Sequence, residues 1–254
     1  ESSRQVAVSG KERPVKCVNP AYREKTPRSY VNIMYGCNNF CSYCIVPYVR
    51  GREVSRPVSD IIQEMQDLVE KGISDIMLLG QNVNSYQGVG IDQKRTSFIE
   101  LLKLINDIKG IKKISFMTSH PKDVSMNLFK AIKDLEHVTK DLHLPLQSGS
   151  NRILQLMNRG YTIEHYMKLA REYRKINPKG RFTTDIIVGF PTETEEDFDM
   201  TEKVMEEIRF DGAYVFKYSP RPPAKSAEIK DDVSLLDKKK RNNILLNLQK
   251  EKRP

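Results

Sequence analysis

Residues 30–57 read YVNIMYGCNNFCSYCIVPYVRGREVSRP, and this stretch decides the fold. An apolar run over residues 30–35 leads directly into three of the chain's four cysteines, Cys37, Cys41 and Cys44. Three thiolates spaced C-x3-C-x2-C can converge on one inorganic centre when the backbone between them forms a tight loop. Zinc requires four ligands, whereas three cysteines on a four-iron cluster leave one iron open to a substrate or cofactor.

Two other interpretations of these cysteines stay open. Cys17 could complete a structural four-cysteine zinc site, or the cysteines could be buried without a shared role. Free cysteines rarely cluster in this way without a metal or redox role, which favours a metal centre. We expect Cys17 to be an incidental thiol, because a fourth protein ligand would close the open iron.

The pattern C-x3-C-x-aromatic-C, placed after a strand near the start of a βα barrel, resembles the signature of radical S-adenosylmethionine (SAM) enzymes. The resemblance implies that Cys37, Cys41 and Cys44 hold a [4Fe-4S] cluster and that the amino and carboxylate groups of SAM chelate the open iron. It also implies that Tyr43 lies near the adenine. Residues 45–57 are similar to the methylthiotransferases of this family, and among them to bacterial enzymes that modify isopentenyl-adenosine in tRNA.

This resemblance implies a radical reaction on RNA. In such enzymes the reduced cluster cleaves SAM to methionine and a 5'-deoxyadenosyl radical, which abstracts hydrogen from a carbon that then receives a methylthio group. The expected target is C2 of N6-isopentenyladenosine next to the anticodon, presented by a single-stranded tRNA anticodon loop. The expected electron donor is a protein such as flavodoxin or ferredoxin.

Other targets and another class of protein stay open. A methylthiotransferase acting on threonylcarbamoyl-adenosine in tRNA, or on an aspartate of a ribosomal protein, is the second hypothesis. Residues 80–84 (GQNVN) and 52–57 (REVSRP) favour the isopentenyl-adenosine type. A non-catalytic, zinc-bound RNA-binding module is the third hypothesis, and it predicts a colourless protein that does not consume SAM.

Composition and charge agree with an RNA-modifying enzyme. The chain has 254 residues, 39% of them hydrophobic, which is enough for one barrel-sized core. Neither an apolar run of the ~20 residues needed to cross a bilayer nor a signal peptide is evident, so we expect a soluble, cytoplasmic monomer. The cysteine usage indicates a reducing compartment. The net charge of +9 favours a polyanionic partner, although alone it is weak support.

Strands and helices are expected to alternate after residue 29. The strands are predicted at residues 30–35, 75–79, 114–118, 141–146, 182–188 and 213–218. Capping boxes are predicted to open helices at Asp60 with Gln63, Ser97 with Glu100 and Thr192 with Glu195. Such alternation predicts a parallel sheet covered by helices. The count fits the α/β fold of an open, partial (β/α)6 TIM-like barrel of radical SAM type better than a closed eight-stranded barrel.

Three regions are predicted along the chain. Residues 1–29 read as a linker or arm following an amino-terminal domain, residues 30–225 as the barrel, and residues 226–254 as a basic helix leading to a TRAM domain. Methylthiotransferases carry both flanking domains, and we expect neither within this chain. The hypothesis is a catalytic core that binds the cluster and cleaves SAM without completing sulfur insertion.

Residues that follow the predicted strands are the candidates for holding SAM, since the working face of such barrels lies at the carboxyl ends of the strands. Those that follow strands are Gly80, Gln81, Asn82, Ser119, Gln147 and Ser148, and Asp185, inside the strand over residues 182–188, completes the set. An ordinary turn is the alternative for residues 80–82. Asp185 interrupts an apolar strand and needs a partner. It either faces the barrel lumen or anchors a basic side chain such as Arg152.

Basic residues beside the cysteines are the candidates for RNA contact. These are Arg50, Arg52 and Arg56, which we prefer to the basic face of a helix predicted over residues 235–252 because they lie near the cluster. That helix face is as compatible with solvent as with RNA. The four histidines lack metal-ligand spacing and are expected to be satisfied polar residues.

Overall fold

A computed structural model describes residues 28–117 and 119–251 of the chain. The predictions for Cys17, for nearly all of the arm over residues 1–29 and for Thr118 therefore lie outside the described residues. Within the described part, no helix is both long enough and apolar enough to span a membrane.

The strands of the described part are mostly short. In chain order they are β1 (Arg28–Asn32), β2 (Met34–Tyr35), β3 (Val54–Ser55), β4 (Asp75–Leu79), β5 (Gln87–Val89), β6 (Arg95–Ser97), β7 (Lys113–Phe116), β8 (Leu142–His143), β9 (Phe182–Val188) and β10 (Gly212–Lys217). The helices are α1 (Val46–Arg50), α2 (Val58–Glu70), α3 (Phe98–Asn106), α4 (Met126–Asp134), α5 (Asn151–Leu156), α6 (Ile163–Ile176), α7 (Glu195–Ile208) and α8 (Leu235–Glu251).

Six strands form the wall of a partial barrel. The parallel sheets β1-β4-β7 and β8-β9-β10 each hold three strands. The segment before β8 joins them, because Ile114 of β7 donates its N–H to the carbonyl of His137 at 2.7 Å and accepts from Thr139 at 2.8 Å. Within the described residues β1 and β10 are the edges of this wall. The α/β partial barrel expected from the sequence is confirmed.

Alternation along β9 defines the two faces of the wall. Phe182, Thr184, Ile186 and Val188 are buried, whereas the residues between them are half-buried. The buried set faces the helices, since side chains alternate between the two sides of a strand. The half-buried set, which includes Asp185, therefore faces the lumen.

The helices cover the outer face through apolar stripes. In α3 the buried residues Phe98, Leu101, Leu102 and Ile105 recur at helical spacing. Burying each such side chain contributes roughly 1.5–3 kcal/mol. The capping box of Ser97 and Glu100 that opens α3 is present as predicted.

Two predicted caps are wrong. Helix α2 begins at Val58, directly after Pro57, without a side-chain cap. A fixed proline φ suits a helix entry, so the chain turns helical before Asp60. Helix α7 is capped by Thr194 with Asp197 rather than by Thr192, which adopts a φ of +70° in the preceding turn.

The fourth barrel strand is shorter than expected over residues 141–146. It is limited to Leu142–His143, because Pro145 has no N–H to give to the ladder. Parallel pairing resumes at Gln147, which bridges to Ile186. The loop that carries Gln147 and Ser148 therefore begins where this strand leaves the barrel wall.

Helix α8 packs against the barrel through charged as well as apolar residues. Leu245 and Leu248 are buried, and so are Lys238 and Arg241. Lys238 pairs with Asp231 at 2.6 Å, and Arg241 pairs with buried Glu193 at 2.8 Å. These two cations are therefore structural, and they are unavailable to RNA.

Candidate active site

The cysteine loop begins at a glycine that nothing larger could replace. Gly36 has a φ of +71°, and a Cβ there would lie 2.1 Å from the carbonyl oxygen of Arg52. The hairpin of β2 and β3 closes at this point, and Cys37 donates its N–H to the carbonyl of Gly51 at 3.3 Å. The glycine thus lets the loop turn tightly over the end of the first barrel strand.

Residues from far along the chain hold the loop from the other side. Ser42 donates its N–H to the carbonyl of Met157 at 2.9 Å. Asn158 donates to the carbonyl of Phe40 at 3.0 Å, and Phe40 adopts a φ of +48°. Ser226 donates its N–H to the carbonyl of Ser42 at 2.8 Å. Tertiary hydrogen bonds from other parts of the chain therefore fix the shape of the loop.

The three thiols of this loop are free. Cys37 and Cys44 are half-buried, and Cys41 is buried. Burial raises the pKa of the Cys37 and Cys44 thiols. Metal ligands are thiolates, so a metal bound here would displace these protons.

Sγ of Cys41 contacts a buried arginine that sequence reasoning passed over. Arg159 donates from Nη1 to this sulfur at 3.2 Å and to the hydroxyl of Tyr43 at 3.3 Å. It also donates to the carbonyl of Pro145 at 3.3 Å, and it is 5% exposed. Arg159 follows the turn after α5, and its only signal in the sequence was its place in the loop Arg159-Gly160-Tyr161. A buried arginine needs partners of this kind.

His120 also contacts Cys41, with Nε2 3.9 Å from Sγ. Its Nδ1 accepts the backbone N–H of Lys122 at 3.2 Å. Burial, aided by the charges of Arg159 and Lys122, lowers the pKa of His120 to about 2. Because Nδ1 accepts the N–H of Lys122, the ring N–H is on Nε2.

Four buried polar atoms near the strand ends have no hydrogen-bond partner among the described residues. They are Oε1 of Gln81, Oδ1 of Asn82, Oγ of Ser119 and Oε1 of Gln147. Burying such an atom unpaired costs free energy, so a group of them indicates a ligand that would pair with them. All four belong to residues that the sequence predicted to hold a cofactor.

Asp185 faces the lumen and contacts a histidine. Its Oδ2 lies 3.3 Å from Nε2 of His143, whose Nδ1 lies 3.0 Å from the hydroxyl of Thr183. Arg152, the alternative partner, pairs with Asp197 instead. The Asp185 carboxylate is still 28% exposed, so it keeps acceptor capacity toward the lumen.

The comparison with known families decides the class of this barrel. Residues 31–205 match the model of the Radical SAM superfamily. The chain belongs to the radical SAM superfamily. The parallel wall agrees with this assignment, and the cofactors of the superfamily are a [4Fe-4S] cluster and SAM.

Relatives and solved structures agree with this assignment. A tRNA-2-methylthio-N(6)-dimethylallyladenosine synthase of Thermoanaerobacter pseudethanolicus is 53% identical over 91% of this chain, and one of Syntrophomonas wolfei is 51% identical over 87%. The chain spans about half the length of these curated relatives, 48% and 49%.

Two solved radical SAM enzymes show the same fold. The radical SAM methyltransferase TsrM from Kitasatospora setae has a TM-score of 0.64 at 16% identity, covering 79% of this chain and 38% of its own. Coproporphyrinogen III oxidase (HemN) from Escherichia coli has a TM-score of 0.61 at 21% identity, covering 89% and 53%.

The cysteine loop of this radical SAM chain fits a four-iron cluster. Cys37, Cys41 and Cys44 offer three free thiols on this loop, and four-iron clusters take cysteine thiolates as ligands. The unpaired polar atoms beside the loop fit SAM, which carries hydrogen-bonding groups throughout its length.

Gly80 and Ser148, two further residues predicted to hold SAM, have local structural roles, and their SAM contacts stay predictions. A Cβ at Gly80 would lie 2.5 Å from Cγ of Met34, so glycine permits this close approach. The buried hydroxyl of Ser148 accepts the backbone N–H of Ser150 at 3.2 Å and so helps to shape the loop before α5.

The arginines predicted to contact RNA divide into two kinds. Arg50 and Arg52 are exposed, and the guanidinium of Arg52 lies 4.5 Å from the centroid of the Phe40 ring. Arg56 is 4% exposed and pairs with Glu64 at 2.7 Å. The prediction for Arg56 is corrected, because its side chain is enclosed by protein groups.

Proposed function

We propose that this chain is the radical SAM catalytic core of a tRNA methylthiotransferase that adds a methylthio group to C2 of N6-isopentenyladenosine next to the anticodon. The observation that carries the proposal is the 53% identity over 91% of the chain to a relative named for this reaction, whose dimethylallyl group is the isopentenyl group. The proposal concerns the core alone, since the relatives are about twice as long.

Cys37, Cys41 and Cys44 would hold the cluster, which supplies one electron to cleave SAM into a radical that abstracts hydrogen. The loop contributes rigidity, because both ends are hydrogen-bonded to other parts of the barrel. Arg159 and His120 keep water from Cys41, which is 8% exposed. Such exclusion limits side reactions of a reactive intermediate.

SAM would be held by the unpaired polar atoms. Gln81, Asn82, Ser119 and Gln147 supply amide and hydroxyl groups suited to the methionine part and the ribose. Asp185, a partly exposed acceptor on the lumen face, suits a ribose hydroxyl. Tyr43 would lie against the adenine, as the resemblance implies.

The target base would enter the lumen beside β10. Tyr214 is 56% exposed and Phe216 is 53% exposed, although both lie on a barrel strand. They pair in register with Asp185 and Ile187 of β9, so they share the lumen face. Exposed aromatic rings suit stacking with an unpaired base of a single-stranded loop.

Further features are proposed with the activity. The net charge of +9 suits a tRNA partner, and exposed Arg50 and Arg52 lie beside the cysteine loop where an anticodon loop would pass. A flavodoxin or ferredoxin would be the electron donor of a cytoplasmic, monomeric enzyme. Residues 30–225 would form the barrel domain, with residues 226–254 as the basic helix that follows it.

The first test is anaerobic iron and sulfide analysis of the reconstituted wild type and of Cys41→Ala, with Cys17→Ala as the matched control. We expect about four irons and a broad band near roughly 400 nm in wild type and control, and loss of both in Cys41→Ala. Dithionite and SAM should then yield 5'-deoxyadenosine. Stoichiometric zinc with intact SAM would refute the proposal.

The second test concerns the RNA target. Anticodon stem-loops carrying isopentenyl-adenosine or threonylcarbamoyl-adenosine are compared for binding to the reconstituted chain in the presence of SAM. We expect tighter binding of the isopentenyl form. Tighter binding of the threonylcarbamoyl form would refute the isopentenyl-adenosine target and support threonylcarbamoyl-adenosine instead.

A further inference from the structure

Cys41 differs from the other two cysteines in the groups around its sulfur. Sγ of Cys37 accepts the backbone N–H of Asn39 at 3.5 Å, and Cys44 is hydrogen-bonded by the backbone of Val46. Sγ of Cys41 instead faces two side chains, and Cys41 is the buried member of the three. The cluster ligands are therefore not equivalent.

The first side chain, Arg159, is fixed in place. Its Nη1 lies 3.2 Å from Sγ of Cys41, and its Nη2 donates to the carbonyl of Pro145 at 3.3 Å. Its guanidinium lies 5.3 Å from the centroid of the Tyr161 ring. A guanidinium keeps its positive charge, so a permanent cation is held against one ligand sulfur.

The second side chain, His120, presents an N–H to the same sulfur. Since its Nδ1 accepts the N–H of Lys122 at 3.2 Å, the ring N–H is on Nε2, which faces Cys41 at 3.9 Å. The backbone of His120 is fixed by Asn84, which accepts its N–H at 3.0 Å and donates to its carbonyl at 3.2 Å. The direction of this N–H is thus fixed from two sides.

We propose that Arg159 and His120 together raise the reduction potential of the cluster through Sγ of Cys41. The step is the one-electron reduction of the cluster by an external donor, which adds one negative charge. N–H donors and a positive charge at a ligand sulfur stabilise that added charge, and hydrogen bonds to sulfur are a known control of potential. The inference rests on the cluster-binding part of the proposed function, and it is independent of the RNA substrate.

The test is an anaerobic redox titration of the reconstituted chain without SAM, followed by electron paramagnetic resonance of the reduced cluster. Arg159→Gln removes the charge. His120→Asn places its amide oxygen where Nδ1 accepts from Lys122 and removes the donor to Cys41. His120→Gln is the matched control, because its amide reaches the Nε2 position and keeps that donor.

For Arg159→Gln we expect the equilibrium constant for reduction by dithionite to fall about tenfold or more, which is about 59 mV for one electron. His120→Asn should lower it by a smaller factor, and His120→Gln should match wild type. Iron content is measured for every variant. If Arg159→Gln holds no iron, the pair of His120 variants decides, and the proposal stands only if His120→Asn alone lowers the potential.

Equal potentials in wild type, Arg159→Gln and His120→Asn at equal iron content would overturn the inference. Weaker SAM binding by Arg159→Gln with an unchanged potential would also overturn it, since the guanidinium would then serve the SAM carboxylate. A wild type that holds no cluster would overturn the proposed function as well. The iron analysis therefore separates failure of this inference from failure of the function.

Discussion

Replacing Asp197 by asparagine should destabilise the protein and loosen the loop that carries Gln147. Oδ2 of Asp197 accepts the N–H and hydroxyl of Thr194 at 2.9 and 3.0 Å, and it pairs with Arg152. Oδ1 accepts the hydroxyl of Ser150 at 2.5 Å. One buried carboxylate therefore caps α7 and ties it to the loop before α5.

The lowered pKa of Asp197 gives the expected loss of stability in Asp197→Asn. Burial alone would raise it, but the hydrogen bonds from Arg152, Ser150 and Thr194 lower it from 3.8 to about 2. At 1.36 kcal/mol per unit, this difference corresponds to on the order of 2 kcal/mol at neutral pH. Because the folded pKa is lowered, this stabilisation is present above pH ~4 and is lost as the pH falls toward about 2.

Urea unfolding followed by circular dichroism checks this prediction. At pH 7 Asp197→Asn should lower the free energy of unfolding by about 2 kcal/mol, whereas Asp199→Asn, an exposed change on the same helix, should stay within about 0.5 kcal/mol of wild type. The deficit of Asp197→Asn should shrink between about pH 4 and pH 2. A deficit that is absent at pH 7, or constant down to pH 2, would refute the reasoning.

Three further predictions concern packing, capping and the SAM site. Gly149→Ala should lower the free energy of unfolding in urea by about 1–3 kcal/mol, because the new Cβ would lie 2.6 Å from the carbonyl oxygen of Met200. An unchanged unfolding midpoint would contradict this prediction. Ser97→Ala should cost about 1 kcal/mol by losing the capping box of α3, measured by thermal unfolding, and an unshifted transition would count against it. Gln147→Leu should weaken SAM binding about tenfold, since a hydrogen bond worth about 1.4 kcal/mol is lost. Anaerobic equilibrium dialysis measures the affinity, and the iron content should stay at the wild-type level. Equal affinities of the variant and the wild type would show that Gln147 does not bind SAM.

The barrel wall could be predicted because several of its strands are short, largely apolar runs with one fully buried face. Residues 75–79 and 182–188 are short apolar runs between helix signals, and both appear as strands with those bounds. The hairpins at residues 34–55 and 87–97 could not be predicted, since strands of two or three residues carry no periodicity. Sequence patterns reveal strands that are buried in the core, and they therefore miss short hairpins outside the barrel wall.

The candidate site divides in the same way. Cys37, Cys41 and Cys44 could be proposed from the sequence because metal ligation demands a local spacing. Arg159 was not, because it reaches Cys41 across 118 positions of sequence through the packing of α5 against the loop. Arg56 misled sequence reasoning for the opposite reason, since a charge beside the cysteines gives no sign of whether Glu64 encloses it.

The contact of Arg159 with Cys41 also has a consequence for the order in which the site forms during protein synthesis. Arg159 follows Cys41 by 118 positions, which at about 5–20 residues per second corresponds to roughly 6–24 seconds of translation. During that interval the three thiols have left the ribosome without the residues that shape their loop. A cluster that needs this loop shape would therefore be expected to enter after residue 159 has been made and packed against Cys41.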